Sequence, residues 1–261
     1  MRPRKLPAQR LTLLASVVLM ASTAPFLRSD CQATDAEFRR LASQIAAARL
    51  VGALENPEVF ERALALLDDH ILNSLRASST PDLAALNRSL AALFAEDAPV
   101  SQSFRVHRFE SASPVYALIV NFGLAGPSAV RIYSSGPGGF SLAARIDHLT
   151  QKNFFDEYLT LVPISASNVI FVTVTGRTDD LQTGSFAAWQ FQGQRVELLW
   201  SVDLLQQSDY QVASDGFRLT YCAEPDERNP RECLRMTRDR FAWDAGTWRR
   251  VQQNTIPVPK R

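Results

Sequence analysis

The sequence predicts a mainly β protein behind a short helical segment, its strands arranged as three four-stranded antiparallel repeats in a propeller-like stack. Three observations lead there. Apolar residues recur at helical spacing before Pro99, and they alternate over short runs after it. Short blocks of the second region reappear 53 to 56 residues further on. The last two strands of each block read as a tight hairpin with aromatic residues beside a glycine.

The N-terminus comes first in the chain and stands apart from the fold. Arg2, Arg4, Lys5 and Arg10 form a basic start without an acid, and Leu11 to Ala24 is an uncharged, largely apolar stretch. That order describes a secretory signal peptide, and the apolar stretch is short for a membrane span. Cys31-Gln32-Ala33 supplies small residues for cleavage before Thr34, with Ser22-Thr23-Ala24 as the alternative site. An uncleaved anchor, or a lipoprotein acylated at Cys31, are the other two readings; Asp30 argues against acylation. Loss of residues 1–33 removes five bases and one acid and turns a net charge of +1 into −3. A mildly acidic exported chain has no electrostatic case for nucleic acid or another polyanion. The expected location is periplasmic or extracellular, with no integral membrane domain after cleavage.

Three helices are expected across residues 34–99. Thr34-Asp35-Ala36-Glu37 is a capping box, and Phe38, Leu41, Ile45 and Leu50 follow near helical spacing. Asn56-Pro57 opens the second helix, with the stripe Phe60, Leu64, Leu67, Ile71 and Leu75. Thr80-Pro81 is expected to open the third, with Leu83, Leu86 and Leu90 behind it. These helices either pack on the next domain or offer a partner-binding surface.

The β region, residues 100–256, divides into units of about 103–146, 157–202 and 209–253. Ser111-Ala112-Ser113 recurs as Ser165-Ala166-Ser167, and Gly139 recurs as Gly193 and Gly246. Twelve strands follow, four to a unit. A β-trefoil is the alternative architecture, though the Gln-x-Trp signature of its sugar-binding forms is missing; Trp189-Gln190 runs the other way. With Cys31 cleaved away, Cys222 and Cys233 remain, bracketing one polar loop, and a disulfide between them is expected.

Chemistry is harder to find. The sequence lacks the nucleophile elbow, zinc-protease, Walker and dinucleotide-binding patterns, and no metal or cofactor is expected. Ser135-Gly136-Pro137-Gly138-Gly139 joins two strands and so reads as a hairpin tip rather than a phosphate cradle. Asp68-Asp69-His70 reads as an exposed helical turn. Asp147 and Asp203 occupy equivalent places after the last strand of two units, where repeat symmetry would put them on one rim. There they either hold a ligand or cap a local turn. Trp243 and Trp248 either stack on a sugar ring or pack in the core. Arg235, Arg238, Arg240, Arg249 and Arg250 read as a solvated, charge-protected edge, with an anion site as the alternative. The expectation is an exported, non-enzymatic binding or scaffold protein for an unknown protein or glycan. A glycan-acting hydrolase using the rim carboxylates is the alternative. N-terminal sequencing of exported material should begin near Thr34; a membrane-bound product retaining residues 1–33 would contradict cleavage.

Overall fold

The computed structural model describes residues 34–45, 57–78, 80–93, 102–122, 128–147, 158–165, 168–176, 183–213, 216–244 and 247–258. The expected signal peptide and the expected cap Asn56 lie outside them. No described helix is long and apolar enough to cross a membrane. Helix α1 covers residues 34–45, α2 Pro57–Arg76 and α3 Leu83–Ala92. The third helix begins later than Thr80-Pro81 would place it. Asp82 is its N-cap, and one carboxylate oxygen accepts from the Ala84 and Ala85 amides at 2.9 and 3.0 Å. At its other end, Arg39 of α1 donates to the carbonyls of Leu93 and Ala92, placing a cation where the helix leaves its carbonyls unpaired.

Among the described residues, eleven strands follow in two antiparallel sheets. The first contains β1 (Gln102–Phe109), β2 (Val115–Phe122), β3 (Ser128–Gly136) and β4 (Gly139–Ile146) in chain order. The second contains β5 (Tyr158–Ser165), β6 (Ile170–Gly176), β7 (Gly184–Gln192) and β8 (Arg195–Ala213). It continues through β9 (Gly216–Pro225), β10 (Cys233–Asp244) and β11 (Thr247–Ile256). Neither sheet closes on itself, so the strands do not form the self-closed barrel of a trefoil.

The expected break between residues 202 and 209 is not there. A single strand, β8, pairs with β7 through its first half and with β9 through its second. It bends instead of ending. Leu204 and Gln207 adopt positive φ of 55° and 50°, and the register shifts on both sides of them. Such irregularities sharpen a strand's bend while leaving its flanks paired. Of the expected hairpin glycines, Gly139 and Gly193 have φ of 92° and 71°, as read, and Gly246 lies outside the described residues.

A strand of each sheet is buried on both faces, and that organises the layers. β2 and β6 are buried along their whole length. Tyr116, Leu118, Val120 and Phe122 face the helices, packed with Phe38, Phe60, Leu64, Leu67 and Ile71. The alternate residues Ala117 and Ile119 face the second sheet, packed with Leu159, Leu161 and Phe171. On the far face of β6, Val172 and Val174 pack with Phe186, Phe217, Leu219 and Phe241. The bend in β8 lets the end of the second sheet cover its own beginning. Trp200 of β8 stacks on Phe241 of β10, their ring centroids 4.1 Å apart.

Helical side chains also seal both edges of the first sheet. The Asn87 amide accepts from the Val106 N–H at 2.8 Å and donates to the Val106 carbonyl at 3.2 Å, standing in for a neighbouring strand on β1. Arg76 donates twice to the Phe140 carbonyl on β4, at 3.0 and 2.9 Å.

Cys222 and Cys233 form a disulfide across β9 and β10 with their Cα atoms 5.7 Å apart, packed beside Met236 and Ile256. The bridge closes a short loop, with a sequence separation of 11. On the loop-entropy model, replacing both cysteines with serine should cost about 2–3 kcal/mol of stability in oxidising buffer. Chemical denaturation with and without reductant checks this: the variant should match the reduced wild type, and equal midpoints for the variant and the oxidised wild type would contradict it.

Candidate functional site

The two carboxylates singled out from the sequence have different surroundings. Asp203 is an exposed residue within β8, not the residue after a strand, because β8 continues through it. Asp147 does follow the end of β4, and there it joins an ionic network between α2 and the first sheet that is buried at its centre and open to water at Arg145 and Glu61. At the centre is Arg131 of β3, whose side chain is only 2% exposed. Its guanidinium lies 3.5 Å from Asp147, 4.0 Å from Asp68 and 3.9 Å from Glu61. Arg145 of β4 sits directly opposite Arg131 in the sheet and approaches Asp147 at 3.4 Å and Glu61 at 3.9 Å.

Two arginines facing each other across strands repel. Three carboxylates, two from α2 and one from the end of β4, outweigh that repulsion and tie the helix to the sheet. The contacts are close approaches of charge more than hydrogen bonds: Arg131 Nε and Asp147 Oδ1 are both buried with no hydrogen-bond partner. Tyr133 completes the set, its hydroxyl donating to Asp68 Oδ1 at 2.6 Å. Burial raises the Asp68 pKa, against the lowering effects of the Tyr133 hydrogen bond and the Arg131 charge; Asp69 and Asp147 add to the rise. Burial, then the neighbouring Asp68 charge, raises the Tyr133 pKa well above its ordinary value, so the phenol keeps its proton as donor. The geometry is that of an electrostatic clamp.

Neighbouring His70 is not part of a free charged turn. Its ring Nε2 lies 3.0 Å from the Ser89 hydroxyl, linking α2 to α3. Among the described residues, no group of three or more His, Cys, Asp or Glu side chains is placed to hold a metal ion.

The tryptophans form a different kind of surface. Trp243 and Trp248 are directly paired across the β10–β11 hairpin, on the face that carries Phe241. Trp248 is 5% exposed and belongs to the core, whereas Trp243 is 47% exposed. Further along the same face, Arg250 reaches Asp239 Oδ2 at 3.3 Å, and the Tyr221 hydroxyl donates to that oxygen at 3.2 Å. Burial, then the Asp239 charge, raises the Tyr221 pKa. Of the arginines read as a solvated edge, Arg235 pairs with Glu224, Arg249 with Asp244, and Arg250 with Asp239.

Arg131, Glu61 and Asp239 were not singled out by the sequence, and Asp68 was read there only as part of an exposed helical turn. One signal did exist for Arg131: it is the only charge in Ala129-Val130-Arg131-Ile132-Tyr133, and an arginine inside an apolar strand needs buried partners. Because Asp68 binds its proton more tightly in the fold than at the ordinary value of 3.8, stability gains as pH falls from above the raised value toward 3.8. Asp68→Asn has no proton to gain. Denaturation of both proteins from pH 7 downward should show wild type gaining on the variant as pH approaches about 4; a loss relative to the variant would contradict the assignment. No family model, curated protein or solved structure matches this chain.

Proposed function

We propose that this is an exported, non-enzymatic binding or scaffold protein whose binding surface surrounds Trp243, near the tip of the β10–β11 hairpin. Trp243 carries the reading. A large aromatic ring, 47% exposed on a paired strand, leaves apolar area in water that a ligand or partner would cover. The disulfide supports export, because such bonds persist in oxidising compartments. Hydrolysis by Asp147 and Asp203 has less support: the Asp147 carboxylate faces Arg131 and Arg145, where a general acid or nucleophile would face substrate.

The scaffold behind this surface is read as propeller-like, with three groups of four strands stacked face to face. Two features support that. The first sheet packs on β5 and β6, and the far face of β6 packs on β9 and β10. Each group also closes on a tight hairpin register, Gly136 with Gly139, Gln192 with Arg195 and Asp244 with Thr247.

The surface is testable without knowing its ligand. Trp243→Ala should change unfolding free energy by no more than about 0.5 kcal/mol, as surface substitutions do. The buried partner gives the contrast, and Trp248→Ala should cost about 3–5 kcal/mol. A loss above about 2 kcal/mol for Trp243→Ala would make it a packing residue and remove the proposed surface.

A further inference from the structure

The strand pairs β3–β4, β7–β8 and β10–β11 are alike in register. Each runs four residue pairs from its hairpin and then shifts, at Tyr133, Trp189 and Phe241. Counted from the hairpin, Arg240 stands where Ile132 and Ala188 stand, and Arg238 where Val130 and Phe186 stand. Val130 and Ile132 pack toward the second sheet, and Phe186 and Ala188 pack with residues of β9 and β10. The neighbouring strand shows the same contrast. Ala117 and Val172 lie opposite Ile132 and Ala188, whereas Arg218 lies opposite Arg240. Where two layers bury apolar side chains against the next, β9 and β10 present arginine. Among the described residues no further strand or helix follows β11 to cover them.

Register also sets out what surrounds these arginines. At the level of Arg240, the row across the sheet is Gln211, Arg218, Arg240 and Gln252. Two residues along β10, the row is Asp209, Thr220, Arg238 and Asn254. Gln211, Arg238, Gln252 and Asn254 are exposed. Side chains directly opposite each other sit about 5 Å apart, and like charges placed there repel. A face that had only to meet water would intersperse acids among such bases. Asp209 is the one acid in these two rows, and its Oδ1 accepts from the Tyr210 amide at 2.8 Å. The mildly acidic charge expected of the exported chain is an average, and it conceals this local excess of arginine.

We propose that this outer face of β8–β11 binds an acidic oligosaccharide. Its carboxylates meet Arg218, Arg238 and Arg240, whose planar forks take a carboxylate through two parallel hydrogen bonds. Its hydroxyls meet Gln211, Gln252 and Asn254, amides that both donate and accept. Phe217, Tyr221, Phe241, Trp243 and Trp248 lie on the other face in this register, so bases of a single-stranded nucleic acid find no ring to stack on. A neutral sugar leaves the arginine charge unmatched. The surface is separate from the one around Trp243 and does not depend on it.

The test titrates the full chain by calorimetry with the hexamer of galacturonic acid, with maltohexaose as the neutral comparison and hexaglutamate as the acidic peptide. The galacturonate hexamer should bind saturably, and more weakly as salt rises from about 50 to about 300 mM. Arg238→Gln should weaken binding about fivefold or more at an unchanged unfolding midpoint. Arg105→Gln, an exposed arginine on β1, should leave binding as in wild type. No saturable binding up to about 1 mM would overturn the proposal. So would equal binding by Arg238→Gln, or maltohexaose or hexaglutamate binding as tightly as the galacturonate hexamer. Loss of galacturonate binding in Trp243→Ala, with Arg238→Gln unaffected, would overturn it too and move the ligand to the Trp243 surface.

Discussion

Arg131 is a permanent cation almost wholly withdrawn from water, and the first sheet is organised around neutralising it. A buried guanidinium loses its hydration, and only close carboxylates offset that. Two come from α2, Glu61 and Asp68, and one from the end of β4, Asp147. Because these groups sit on separate elements, their convergence sets where α2 lies on the sheet and where β4 ends. Asn87 and Arg76 then close the sheet's two edges from the same helices. Charge gives this layer its register. Apolar packing of Phe38, Phe60 and Phe122 gives it most of its buried area.

A second constraint governs the rest of the chain. Strands buried on both faces need cover on both, and β2 obtains it from helices on one side and from β5 and β6 on the other. The outer face of β6 must be covered in turn. The second sheet supplies that cover from its own far end, which requires β8 to turn sharply. Leu204 and Gln207 accept left-handed backbone to make the turn, a conformation L-residues other than glycine adopt at some cost. Aromatic contacts among Phe186, Trp200, Tyr210, Phe217 and Phe241 fill the space that results. The cover is incomplete at the hairpin tip, where Trp243 is left half in water.

Much of the local structure was legible because short-range rules decide it. Alternation marked the strands, glycines marked the hairpins, and two cysteines around a polar loop marked their own pairing. The path of β8 was not legible. Asp203 and the run Gln206-Gln207-Ser208 interrupt its apolar pattern as a linker would, and nothing in Leu204 or Gln207 announces positive φ. The start of α3 lies two residues past the cap expected at Thr80, because Asp82 makes the capping bonds. Asp147 was found as a residue but not as a role, since its role depends on Arg131 and Arg145 reaching it. The β10–β11 hairpin was half legible: its tryptophans stand out by type, whereas Asp239 reads as one charge among flanking arginines.

The clamp is tested most directly by native-state hydrogen exchange on Asp147→Asn, which keeps the side chain's shape and removes its charge. If Arg131 couples α2 to the sheet through its carboxylates, amides of α2 and β3 should exchange faster together, while β9 to β11 keep wild-type protection. Unchanged protection in α2, or a uniform rise across both sheets, would contradict the clamp as the interaction that holds helix to sheet.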